Sequence, residues 1–422
     1  MTTKEKNLLD LAKLYLPGGS NGNAITMDVI IEKGLGPKVW DIHGNEYIDY
    51  SLGSGPMLLG HSHPEVVDAV SSQITKGTTY FGLNKHMIDL AEEIISAVPC
   101  AESIRFANSG SEATFFAMRA ARAFTQKEKI LKFEGGFHGM SDYALMSMMP
   151  GKPQDFPIPT PDCEGIPESI RENVLIAPYN NSQITKQIIE KNHNEIGGII
   201  VEPIQRVIPP KIEFLQSLRE LATKYKIPLI FDEIVTGFRL DYGGAQTYYG
   251  VTPDICTLGK ALSGGFPISA ITGKKEIMEY FSSKNMSQNE LVLQEGTMNG
   301  NPLCSIAALT TLKILKRPNT YKKLKQTGSQ FIKAIKEKLF EFEIPAQITG
   351  EFCLFDIVFQ NDPVVDYRSM LNRDKIKTKK LNKSLLDQGI YKNHSKYYLS
   401  TSHSEKEIEK TIDAIQLSFQ KI

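Results

Sequence analysis

The chain has 422 residues, of which 41% are hydrophobic and 23% charged; these are ordinary values for a globular protein long enough to hold more than one domain. Lys plus Arg and Asp plus Glu each number 48, giving a formal net charge of zero, which argues against nucleic acid or an anionic membrane as the main partner. Five scattered cysteines (Cys100, Cys163, Cys256, Cys304, Cys353) form no CxxC pair, a pattern of reduced thiols rather than of a disulfide framework or zinc site.

The opening MTTKEKNLLDLAKLYLPGG lacks the apolar run and cleavage site of a secretory signal. No stretch reaches the roughly 18 continuous apolar residues that cross a bilayer. The expectation is a soluble, cytoplasmic protein with no membrane partner.

In chain order, a helix is expected over Lys4–Tyr15, then a Gly-rich turn over Pro17–Gly22. A hairpin follows, with Lys38–Ile42 and Tyr47–Tyr50 flanking a His43-Gly44-Asn45 turn. From about residue 65, short apolar strands alternate with amphipathic helices. Strands are expected at Ser103–Ala107, Lys129–Phe133, Gly197–Val201, Leu229–Phe231 and Ile255–Leu258. Between the first two, Phe116, Ala117, Ala120, Ala121 and Phe124 keep helical spacing over Ser111–Phe124. Such alternation implies an α/β fold, a mainly parallel sheet covered on both faces, with ligands beyond the carboxyl ends of its strands. The segment Met149–Ile166 is rich in Pro and Gly without periodicity, as functional loops or lids often are. Helices are expected over Ile306–Leu315, Tyr321–Phe342 and Glu405–Phe419, and the basic stretch Lys375–Lys383 reads as a solvated helix face. The organisation expected is an N-terminal segment (1–60) packing with a small C-terminal α+β domain (311–422), and a large domain (61–310) between them.

Four constellations each follow a strand. Asn108-Ser109-Gly110-Ser111-Glu112 opens a helix, whose free N–H groups and positive dipole end suit a phosphate; a Ser-initiated cap would look the same. In Phe133-Glu134-Gly135-Gly136-Phe137-His138-Gly139 the Phe137 ring suits stacking on a planar heteroaromatic ligand, or else it is a core aromatic beside a satisfied His138. The acidic pair Asp232-Glu233 can keep a pyridine nitrogen protonated, or cap the next helix; no His or Cys sits near it at metal-ligand spacing. Lys260, after a strand and before small residues and a Gly pair, would become a carbonyl nucleophile if desolvated, or remain a surface charge.

Taken in this order, the motifs resemble the class III aminotransferases, most nearly their glutamate-1-semialdehyde aminomutase branch. The likeness runs from Pro17 to the end, through GPMLLGHSHP (Gly55–Pro64), ANSGSEAT, FEGGFHG, VEP, DEIVTGFR, TLGKALSGGFP and GTMNGNP (Gly296–Pro302). It implies the type I pyridoxal-phosphate-dependent transferase fold, with a mainly parallel seven-stranded sheet plus a smaller α+β domain, and a homodimer with shared active sites. It also implies pyridoxal 5'-phosphate as cofactor and no metal. Carried over by motif, Lys260 forms the Schiff base and shuttles the proton, and Asp232 pairs with the ring nitrogen. Ser109, Gly110 and Ser111 cradle the phosphate, while Phe137, beside His138, and Ile234 cover the two ring faces. Thr297 reaches the phosphate of the neighbouring subunit, and Glu202 lies near the cofactor's active face.

Aminomutases of this branch carry an arginine shortly after the PGG turn and a glutamate near the C-terminus, which together serve their substrate. Here Gly18–Ala24 reads GGSNGNA and Asn393–Tyr398 reads NHSKYY, with neither residue. Arg206 and Arg239 remain as partners for a substrate carboxylate, or as members of surface or interface ion pairs. The expected activity is therefore amino-group transfer between an amine or amino acid and a keto acid or aldehyde, through an external aldimine and pyridoxamine phosphate. A glutamate-1-semialdehyde-type 2,1-aminomutase or a lyase on the same fold is the alternative. A non-catalytic scaffold would have no need of Lys260 paired with Asp232.

Overall fold

The computed structural model describes residues 3–22, 29–284, 290–392 and 396–421. Its strands in chain order are β1 (Ile31–Leu35), β2 (Lys38–Asp41), β3 (Glu46–Asp49), β4 (Ser103–Ala107), β5 (Lys129–Phe133), β6 (Val174–Ala177), β7 (Ile196–Val201), β8 (Leu229–Glu233), β9 (Ile255–Leu258), β10 (Ser269–Gly273), β11 (Gln347–Glu351), β12 (Leu354–Val358), β13 (Ile390–Tyr391) and β14 (Tyr397–Tyr398). A seven-stranded sheet has the order β4-β10-β9-β8-β7-β5-β6. Strands β5 to β9 run parallel, and β10 lies antiparallel between β4 and β9.

Side chains alternate across a strand, so each strand feeds both faces of this sheet. On one face Ile130, Ile200, Ile230, Ile255 and Ile271 form a row, one from each of five strands. They pack with Ala113, Ala117, Ala120 and Ala121 of the helix Gly110–Thr125. The small alanine face lets that helix lie close over the sheet. Each isoleucine buried in this way contributes about 1.5–3 kcal/mol. Residues of opposite parity, among them Leu131, Ile199, Phe231, Cys256 and Ala270, enter the main core on the other face.

All five anticipated strands form; β7 starts one residue earlier and β8 runs on through Asp232 and Glu233. In the seven-stranded sheet two strands were not anticipated, β6 and β10. The expected hairpin forms as β2 and β3, and the expected helices appear as Thr3–Tyr15, Gly110–Thr125, Pro302–Leu315, Thr320–Glu341 and Glu405–Phe419. The basic stretch lies on the helix Lys375–Asp387, with Lys375, Lys379, Lys380 and Lys383 exposed. Segment 149–166 carries no helix or strand. It is pinned by Asp162, which accepts from Met148 N (2.6 Å) and Met149 N (2.8 Å), and by the Tyr367 hydroxyl, which donates to Pro150 O at 3.1 Å. Among the described residues no helix is long and apolar enough to cross a membrane, and no three His, Cys, Asp or Glu gather to hold a metal.

The two ends of the chain meet. Strand β13 pairs in parallel with β3, completing the sheet β1-β2-β3-β13, and β14 joins β11 and β12. An aromatic cluster locks this junction. Tyr397 stacks on Phe355 (centroids 5.1 Å apart) and meets Tyr50 and Phe331 edge-on at 5.5 and 5.9 Å. Phe331, fully buried on the helix Thr320–Glu341, also touches Tyr50 and Phe355. Phe331→Ala is expected to cost about 3–5 kcal/mol of stability, measured by urea denaturation; an unchanged midpoint would contradict this role.

Candidate active site

The parallel register of β8 and β9 sets Asp232 beside Thr257 and Glu233 beside Leu258. Alternation then sends the two carboxylates to opposite faces. Asp232 receives His138 at 2.7 Å (Nδ1 to Oδ2), Ile234 N at 3.2 Å and the Thr257 hydroxyl at 3.3 Å. Glu233, fully buried, accepts instead from Ala245 N at 2.5 Å and the Thr236 hydroxyl at 3.0 Å, at the start of the helix Gly244–Tyr249. Glu233 takes the helix-capping role, and Asp232 is left facing the other side. Burial pushes the Glu233 carboxyl above its usual range.

Lys260 follows β9 after Gly259 and adopts a left-handed φ of 43°. Burial lowers its ammonium's affinity for a proton; Lys396 adds to the effect, while Tyr398, Asp232 and Glu202 oppose it. Lys260 is half-buried rather than exposed, which is not the setting of a freely solvated surface charge.

At the start of the helix Gly110–Thr125, Ser109 and Glu112 form a reciprocal capping box. The Ser109 hydroxyl accepts from Glu112 N at 3.2 Å and keeps its own proton free to donate. A Cβ on Gly110 would lie 3.0 Å from Ile234, and one on Gly259 would lie 3.2 Å from it. Ile234 thus sits between the helix start and the backbone preceding Lys260. On the helix's second turn the Thr114 hydroxyl donates to His138 O at 2.6 Å, hooking in the loop that carries Phe137. Phe137 N donates to the buried Glu202 at 2.9 Å, and Arg206 lies 5.1 Å from the Phe137 ring. Among the described residues His138 Nε2 is buried without a partner.

Lys260, Asp232, His138, Ser109, Gly110, Ser111, Phe137, Ile234 and Glu202 therefore gather at the carboxyl ends of β4, β5, β7, β8 and β9. Thr297 does not join them. It is exposed, its carbonyl accepts from the Thr79 hydroxyl at 3.3 Å, and it lines a surface concavity of about 310 Å³ with Tyr80, Phe81 and Asn299. Asn299 bonds to Asn108, the residue before the capping serine, at 2.8 Å. Arg239 is fully buried, donating to Val235 O and Gly55 O, so it is no surface ion pair. Among the described residues neither it nor Arg206 meets a carboxylate. Asn23, Ala24, Asn393, His394 and Ser395 lie outside the described residues. Sequence reasoning passed over Thr257 and Lys396, whose types are too common to signal a site before the strands are paired.

The family model "Aminotransferase class-III" matches residues 20–416. The chain belongs to the class III aminotransferases. Members of this family work with pyridoxal 5'-phosphate. A glutamate-1-semialdehyde 2,1-aminomutase of Methanococcus maripaludis is 39% identical over 99% of this chain and 98% of its own. An omega-transaminase from Sphaerobacter thermophilus superposes with a TM-score of 0.94 at 33% identity, covering 99% and 97%. A transaminase solved with PLP bound gives a TM-score of 0.91 at 27% identity, covering 100% and 98%. These class III aminotransferases share the type I architecture seen here.

A Cβ on Gly139 (φ +88°) would lie 2.6 Å from the Ser111 backbone, whereas one on Gly165 (φ +87°) meets nothing within 4 Å. Both Gly→Ala changes carry left-handed strain of about 1–3 kcal/mol, and only Gly139→Ala adds a clash at the helix start. Thermal melts are expected to show the larger loss for Gly139→Ala; equal losses would contradict the close approach.

Proposed function

We propose that this chain is a pyridoxal-phosphate-dependent transaminase, moving an amino group between an amine or amino acid and a keto acid or aldehyde. The observation that carries the reading is Asp232, held by three donors beside a buried lysine whose proton affinity is lowered. The residues fit the cofactor. Among the described residues His138 Nε2 is a buried polar atom without a partner, and the helix Gly110–Thr125 points its first N–H groups at the same end of the sheet.

The cofactor supplies an aldehyde that condenses with amines and a protonated ring that withdraws electrons from the carbon losing its proton. Asp232 holds the positive ring N–H, and His138 and Thr257 fix the orientation of its carboxylate. The N–H groups of Gly110 and Ser111 and the Ser109 and Ser111 hydroxyls take the phosphate. Phe137 and Ile234 cover the two faces, and Glu202 orients Phe137 through its backbone. Lys260 Nζ, readily deprotonated because it is buried, takes the substrate proton and returns it to the neighbouring atom. In a homodimer the exposed Thr297 reaches the partner's phosphate.

The name of the Methanococcus relative favours a second reading, an aminomutase that returns the amino group to the same molecule. Against it stands the loop Gly18–Gly22, which offers neutral groups only, and for the transaminase stands the likeness to the Sphaerobacter enzyme. One assay separates the two. A transaminase exhausts its cofactor on an amino donor alone and resumes only with a carbonyl acceptor. Rapid conversion of glutamate-1-semialdehyde to 5-aminolevulinate with no second substrate would overturn the first reading in favour of the second. In either case Asp232→Asn, which keeps shape but loses charge, is expected to lower turnover roughly 10²- to 10³-fold while the cofactor stays bound, checked by steady-state kinetics and absorbance.

A further inference from the structure

Lys396 precedes β14 and is 8% exposed. Among the described residues its Nζ makes no hydrogen bond or ion pair; its contact is the Tyr398 ring, 5.8 Å away. Arg239 lies over the same ring at 5.0 Å, its Nη1 buried and without a partner among the described residues. Arg206 rests on the Phe137 ring at 5.1 Å, and its charge is felt at Lys396. Burial lowers the Lys396 pKa to about 7; Arg206 and Arg239 add to this, and Glu202 and Asp356 oppose it. Of those two carboxylates, Asp356 is already paired with Lys392 at 2.9 Å and Glu202 is engaged by Phe137 N. Lys396 and Arg239 thus flank one ring, and the two carboxylates that act on Lys396 are each held by another donor.

A buried, uncompensated cation is costly and persists where something else completes it. The space in question borders the chemistry, because Lys260 feels the charges of both Lys396 and Tyr398. We infer that Lys396, backed by Arg206 and Arg239, receives a carboxylate of the amino donor or keto acceptor. Lys396 thereby sets specificity for acid-bearing substrates. This deepens the proposed function and rests on it for the identity of the reacting partner. Gly18–Gly22 supplies no cation to compete for that acid, and a lysine in a desolvated pocket gives a strong, charge-assisted contact.

The test compares native holoenzyme with Lys396→Met and Lys396→Arg. A charge-assisted hydrogen bond is worth roughly a 10- to 100-fold change in affinity. The expected result is a fall of that size in the kcat/KM ratio of a carboxylate-bearing donor over a neutral amine of equal length. The fall is expected mainly in KM, with Lys396→Arg recovering most of it. Succinate, a dicarboxylate that cannot react, serves as a binding probe through its perturbation of the holoenzyme's visible absorbance, and is expected to weaken to a similar degree in Lys396→Met. Equal losses for acid and neutral substrates, or unchanged succinate affinity, would overturn the inference. If no amine turns over at all while succinate still binds native protein more tightly than Lys396→Met, the transaminase reading fails and the acid subsite stands.

Discussion

Parallel pairing of β8 with β9 is the constraint on which the site depends. It sets Asp232 beside Thr257 and directs the chain through Gly259 to Lys260 at the same sheet edge. Parallel strands end together, so an acid on one and a lysine just beyond its neighbour meet without any irregular excursion. The isoleucine row beneath fixes that register. A one-residue slip of β8 would turn Asp232 into the core and Glu233 into the site. Glu233, capping a helix on the other face, opposes the same slip, so the acidic pair serves as both site and register marker.

Much of this was legible before any coordinates. Strand-end position and residue chemistry marked Ser109, Phe137, Asp232 and Lys260, because glycine-flanked turns after apolar strands are uncommon and each suited one part of a single ligand. The two strands of the large sheet that escaped notice had no comparable signal. Val174–Ala177 is a short uniform apolar run, which periodicity cannot tell from a buried helical segment. Ser269–Gly273 is small and partly polar, and its antiparallel insertion between β4 and β9 is a matter of sheet order that no local pattern carries. Lys396 is a sharper case. In sequence it is one lysine among many in a polar run; only the β12–β14 pairing and the packing of Tyr397 against Phe355 seat it beside Tyr398.

Charge is distributed unevenly around the site. A chain with no net charge nevertheless sets Lys396 and Arg239 at the Tyr398 ring and Arg206 at the Phe137 ring, while Asp356 and Glu202 are held by other donors. Such an arrangement is unfavourable in the free protein and becomes favourable when anionic groups enter, the logic of preorganised electrostatic stabilisation. The aromatic cluster at Tyr50, Phe331, Phe355 and Tyr397 packs behind β14, the strand that carries Tyr398.

The central claim is that one lysine carries the cofactor. Borohydride reduction of the protein saturated with pyridoxal phosphate, followed by peptide mapping, tests it most directly. The account predicts a single label on Lys260, absent from the Lys260→Ala protein. A label on Lys396, on any other lysine, or on none would contradict it.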